Sequence, residues 1–246
     1  MSEILLLLGF FWVAAAYSSV GHGGASGYLG LWAFTAYSTQ LGATLALVLN
    51  VIVAGLTFVI FRRAKHFDWK LTWPFLIFSI PLAYLGGKFA HQAHWQSLVL
   101  TLVLTYAAIS LVFKPSQKTE NPCAPTPFVS AMTGGSIGFV SGLVGVGGGI
   151  FLSPLMILLN WAKPHTVASL SAVFIFLNSL AGLAARPTEL LQQSMEFWPL
   201  ILAGVAGALL GSWFGAYQTS SRTLRVILAL VLVVAAAKHL GQAVGI

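Results

Sequence analysis

The stretch "SSVGHGGASGYLG", residues 18–30, sets five glycines and one histidine between two oily segments. A glycine inside a helix costs about 1 kcal/mol relative to alanine. A helix entering from residue 4 is therefore expected to stop here. Glycine readily takes positive φ, so the stretch suits a tight turn. A new helix starting after such a turn carries roughly half a positive charge at its N-terminus and is suited to anions. The chain around the turn decides whether it sits in water or in lipid.

The chain of 246 residues is 58% hydrophobic and only 7% charged. Soluble domains carry about 25% charged residues, so this surface belongs in a membrane. Apolar runs fall at 4–20, 41–61, 71–87, 95–113, 128–144, 167–185, 197–217 and 224–240. The net charge of +7 comes from twelve Lys and Arg scattered at the ends of these runs. That pattern sets topology and does not build a nucleic-acid face. The opening run carries Glu3 and no Lys or Arg, so it reads as a membrane helix and not as a signal peptide. Cys123 stands alone in the loop "NPCAPTP", and no Cys/His spacing suggests a metal.

The glycine stretch occurs twice. "VGHGGASGYLGL" (20–31) lies over "VGVGGGIFLSPL" (144–155), and "WPFLIFSIPLAYLGGKF" (73–89) over "WPLILAGVAGALLGSWF" (198–214). "LNVIVAGL" over "LNSLAGL" pairs Asn50 with Asn178. The expected fold is an all-α polytopic membrane protein of two inverted repeats, each a glycine-turned re-entrant hairpin plus about three transmembrane helices. The first repeat covers 1–113, a polar, proline-rich linker covers 114–127, and the second repeat covers 128–246. With a re-entrant hairpin, nine Lys and Arg fall on one face and three on the other; a broken span gives eight and four. The positive-inside rule favours the hairpin, with "FRRAKHFDWK" and the linker cytoplasmic.

Backbone groups inside a bilayer must be hydrogen-bonded or face a water-lined cavity. Two glycine turns facing each other would make a midplane anion site, with Gly21, His22, Gly23, Gly24 and Ser26 from one copy and Gly145, Gly147, Gly148 and Gly149 from the other. Asn50, Ser169, Ser171 and Asn178 are polar residues inside apolar runs and join the candidate substrate ligands; interhelical hydrogen bonding is the alternative for them. His22 is either an anion ligand or proton carrier, or a turn histidine bonded to carbonyls. The glycines of "GALLG" (207–211) and "YLGG" (84–87) read as close helix packing. His66 and Asp68 lie in a basic loop, His91 and His94 in a Gln-rich turn, and His239 near the end of the last run. A phosphate-binding loop would need Lys-Ser/Thr after the last glycine, where Ile150-Phe151 stands instead.

"SGLVGVGGGIFLSPLMIL" followed by "PHTVASLSAVFIFLNSLAGL" resembles the TauE/SafE family of membrane proteins, and "FRRAKHFDWKL" fits that family's first half. The resemblance covers nearly the whole chain. It implies a permease for a small anion such as sulfite, thiosulfate or an organosulfonate, with no cofactor, in the cell's inner membrane. His165 matches the position where a histidine precedes the family's small-residue segment; it either caps a helix or lines the route. One departure is "GHGGA", where Ala25 replaces the last glycine of the family's usual cluster.

Two other functions fit weaker features. "GASG" (24–27) and "HLG" (239–241) resemble rhomboid intramembrane protease signatures, with Ser26 as nucleophile. The second copy has Ile150 in place of that serine. A non-transporting assembly factor is the other alternative. For a permease the partners are the anion, the bilayer and a possible H+ or Na+ coupling ion. The rarity of acidic residues disfavours a carboxylate relay.

Overall fold

Glycine and proline punctuation sets the helix boundaries. The computed structural model describes residues 3–89 and 122–244, with side chains to residue 233. The apolar run 95–113, His91, His94 and most of the linker, with Lys114 and Lys118, lie outside the described residues, as do the side chains of Lys238 and His239. The N-terminal helices are α1 (Glu3–Ser19), α2 (Ala25–Trp32), α3 (Thr39–Arg63) and α4 (Trp69–Phe89). After the linker come α5 (Pro127–Val144), α6 (Gly149–Leu158), α7 (Pro164–Ala184), α8 (Thr188–Met195), α9 (Trp198–Trp213) and α10 (Ser221–Val244). A π-helical turn, Phe214–Gln218, ends α9.

The starts follow ordinary capping chemistry. Ser38 accepts from the Leu41 amide at the head of α3, and Thr126 accepts from Val129 at the head of α5. Pro127 and Pro164 open α5 and α7, where a missing N–H costs nothing. Four described helical stretches are long and apolar enough to cross a membrane: Thr39–Arg63, Pro127–Val144, Pro164–Ala184 and Trp198–Gln218. Large apolar side chains such as Trp12, Phe78, Leu85, Leu202 and Leu230 are exposed, as a lipid-facing exterior requires.

After its first glycine cluster the chain doubles back. Phe10 of α1 stacks on Tyr28 of α2 with ring centroids 5.0 Å apart. Tyr17 and Ser26 hydroxyls share a hydrogen bond of 2.9 Å, and Gly27 lies against Val13. The residue numbers run in opposite senses, so α1 and α2 are antiparallel. The same reasoning orders the other pairs. Leu47 meets Gly182, Asn50 meets Ser179 and Gly55 meets Phe176, so α3 and α7 cross the centre antiparallel.

Two glycine seams close the bundle. Gly207, Gly211 and Gly215 lie on the carbonyls of Phe11, Ala15 and Ser19, so α1 runs parallel to α9. Gly134, Gly138 and Gly142 lie on the carbonyls of Phe75, Ser79 and Ala83, so α4 runs parallel to α5. A Cβ at any of these six positions would strike backbone. The packing role read for the "GALLG" glycines is the one they have here. The first helix of each half thus packs on the fourth apolar helix of the other half.

Candidate functional site

The first break ends α1 in a two-bond glycine turn. Gly21 takes φ 83°, its amide donates to the Ser18 carbonyl, and the His22 amide donates to the Tyr17 carbonyl. These are the two bonds of a Schellman motif, with Gly21 as its left-handed residue. Gly24, at φ 99°, then caps α2 without a side-chain bond of its own. The cap comes from elsewhere: Asn50 of α3 accepts from the Ala25 amide at 3.2 Å. Gly21 lies so close to Ala168 of α7 that a Cβ would enter that backbone.

The second break uses the same residues differently. Gly145, φ 77°, donates to Ser141, a single-bond left-handed cap. Gly147 and Gly148 continue at φ 78° and 80°. Among the described residues, no hydrogen bond leaves the amides of Val146 through Ile150. A helix leaves its first four N–H groups unsatisfied unless something caps them, and α6 has no such cap here.

Asn50 stands between the two breaks. It is fully buried, and its side-chain oxygen holds Ala25 of the first break. Its Nδ2 donates to Ser179 of α7 at 3.3 Å. A Cβ on Gly147 would sit 2.8 Å from that Nδ2 and 2.9 Å from Ser179 Oγ. His22 reaches across as well. Its Nδ1 donates to the Val20 carbonyl at 3.1 Å, and the ring lies beside the Gly149 backbone. Its Nε2 completes no hydrogen bond of good geometry, although the residue is only 2% exposed.

The other expected ligands occupy varied positions. Ser171 shares a 2.6 Å hydrogen bond with Ser153, joining α6 to α7 beside Gly149. Ser169 is fully buried, and its hydroxyl has no partner among the described residues. Ser26 bonds Tyr17 within the first hairpin. His165 sits at the far end of α7, where Nε2 donates to the Thr219 carbonyl at 2.9 Å and Nδ1 accepts from Ser221 at 3.3 Å. Its ring lies 4.6 Å from that of His66, which donates to Ala216 in the π turn. Both ring nitrogens of His165 are thus engaged away from the glycine turns.

Asn178 does not share the surroundings of Asn50. Its oxygen accepts from Ser79 of α4 at 2.6 Å. The paired "LN" runs are three residues out of the helical register. α3 begins at Thr39 and α7 at Pro164, which brings Asn50 over Ile175. Ile175 indeed packs on Gly147 as Asn50 packs on Gly23. Sequence reading also missed Ser179, Ala168 and Arg186. Arg186, just past α7, brings Nη2 to 3.4 Å from where a Gly145 Cβ would lie. Nothing local marks Arg186.

All seven candidate glycines at the turns are buried, and the open cavity expected beside them is closed in this conformation. A cavity of about 10 Å³ lies next to the first break, lined by Val20, Ser153, Val167, Ala168 and Leu224. It has room for one water at most.

An apolar bundle whose centre is built from two interrupted helices has the construction of a membrane transporter. The sequence signature described as "Sulfite exporter TauE/SafE" matches residues 5–239, and the chain belongs to that family. It is 34% identical over 241 residues to "Probable membrane transporter protein y4hK" of Sinorhizobium fredii, an alignment covering 96% of this chain and 97% of that protein. It is 32% identical over 100 residues to "Probable membrane transporter protein YunE" of Bacillus subtilis, covering 39% and 35% of the two chains. A "Probable membrane transporter protein" of Xylella fastidiosa is 33% identical over 101 residues, covering 39% and 37%. No solved structure matches. The chain is a multi-pass membrane transporter and not an intramembrane protease.

Proposed function

We propose that this chain is a secondary permease of the inner membrane for a small anion: sulfite, thiosulfate or an organosulfonate. Its repeats, 1–113 and 128–246 about the linker 114–127, are inverted. The antiparallel crossing of α3 and α7, with α1 along α9 and α4 along α5, supports that symmetry. The observation that carries the functional reading is the meeting of the two breaks, with Asn50 between them and His22 reaching from one to the Gly149 backbone of the other. A buried ring nitrogen that makes no well-formed hydrogen bond and a run of uncapped amides, both among the described residues, support a role for a ligand not made of protein.

The closed conformation is the occluded member of an alternating pair. Transport requires one bundle to move so that the turns open to one side at a time. Gly21, His22, Gly23, Gly24, Ser26, Asn50, Gly145, Gly147, Gly148, Gly149, Ser169 and Ser171 form or border the route, with His165 and Asn178 at its margins. The coupling ion is H+ or Na+. Purified protein in liposomes, offered sulfite, thiosulfate, a sulfonate and a carboxylate with pH and sodium gradients applied separately, should take up the oxidised-sulfur anions against an empty-liposome control. Failure to move any of them would remove the reading.

A further inference from the structure

We infer that the oxyanion is held at the second break, with the Arg186 guanidinium as its counter-charge, so that the two halves of the site are not equivalent. The inference rests on the anion-permease reading above and assigns a ligand within it.

Arg186 follows α7 directly, and its backbone amide closes that helix on Leu183. The side chain turns back toward Gly145, with Nη2 3.4 Å from the position a Cβ would take there. Its Nε is buried and has no hydrogen-bond partner, and no carboxylate pairs with the guanidinium among the described residues. Burial lowers its pKa from the ordinary value, yet an arginine stays charged in proteins. A half-buried cation with an unsatisfied N–H and no carboxylate paired to it among the described residues is costly unless an anion visits it. The planar fork of N–H groups matches two oxygens of an oxyanion, which a lysine cannot reproduce.

Two further observations point to the same place. The amides of Val146 through Ile150, five in succession, have no acceptor among the described residues, whereas in the first break Gly21, His22 and Ala25 donate and the open pair is Gly23 and Gly24. His22, 2% exposed and with no well-formed hydrogen bond at Nε2 among the described residues, lies against the Gly149 backbone of the same segment. The second break therefore has a guanidinium at one end, an imidazole at the other and open amides between. Among the described residues the first break has no Lys or Arg beside it, and its His22 ring is directed toward the second break.

The test uses the full chain in liposomes, with sulfite as the probe. Arg186→Gln should raise KM for sulfite at least about tenfold, the loss of one charge-assisted pair, while the detergent-solubilised protein remains monodisperse. Arg186→Lys should recover part of that loss, because charge remains and the fork does not. Sulfite should raise the thermal unfolding midpoint of the unmodified protein and lose that effect in Arg186→Gln. If Arg186→Gln does not fold, Arg186→Lys decides: an unchanged KM overturns the inference. If the unmodified protein transports sulfite and both variants keep its KM, Arg186 is not a ligand. If the unmodified protein moves no anion, the permease reading itself fails.

Discussion

The two glycine breaks share a sequence pattern and differ in how completely the protein satisfies them. In the first, Gly21, His22 and Ala25 all donate to protein acceptors. In the second, only Gly145 of the equivalent positions does. The first is locked against Ala168 and capped by Asn50; the second borders Arg186 and leaves its amides open. Two turns of similar sequence thus differ in their surroundings: the first has three of its amides held by protein acceptors, the second one. The glycines fix where the turns lie, but the neighbours decide which of their amides are held.

The sharpest way to break this comparison is to add one methyl to each turn. Gly21→Ala would drive a Cβ into the Ala168 backbone at a left-handed φ, and should cost more than about 4 kcal/mol and remove folded protein from the membrane fraction. Gly145→Ala meets only the Arg186 tip, so it should cost about 1–2 kcal/mol of backbone strain. Comparable yields of folded protein from the two variants would show that the first break is not the tighter joint.

Next come the asparagines. Asn50→Leu strands the Ala25 amide and the Ser179 hydroxyl, and should lower stability by about 3 kcal/mol in a thermal melt. Asn178→Leu loses one bond to Ser79 and should cost about 1 kcal/mol. The reverse order would restore the pairing that the "LN" runs suggested.

Smaller effects separate the polar residues near the turns. His22→Gln keeps a hydrogen-bonding group but withdraws the ring from the Gly149 backbone; sulfite uptake should fall about fivefold, equivalent to about 1 kcal/mol. Val146→Ala, at the equivalent position of the second break, should leave uptake nearly unchanged. Ser26→Ala removes the bond to Tyr17, so the melt should shift by about 1 kcal/mol or less while uptake persists. Loss of uptake without loss of stability in Ser26→Ala would instead make Ser26 a ligand.

The sequence reading and the structure agree where the physics is local. Both turns fall at the glycine clusters, because several glycines in succession disfavour a helix and permit the positive φ found at Gly21, Gly24, Gly145, Gly147 and Gly148. The doubling back of α2 on α1 follows from that turn and the short apolar piece after it. The reading was weaker where the register had to be inferred. Matching Asn50 to Asn178 relied on similar letters, and a three-residue slip is most of a helical turn, enough to send Asn178 to α4. Short helix α8 went unread because its apolar stripe is narrow and it lies in a loop between two long spans. Arg186 counted only as a topology charge, since a residue's reach back to a turn forty positions earlier leaves no trace in its own surroundings.

The amino-acid pattern established that this chain lives in a membrane and that its helices are broken at two glycine clusters. Those properties depend on side-chain polarity and backbone freedom, which each residue carries wherever it sits. Which amides of each break find a protein acceptor was settled by the packing of distant helices. That outcome depends on whether a partner such as Asn50 or Arg186, distant along the chain, arrives within hydrogen-bonding range of a buried amide or a glycine surface.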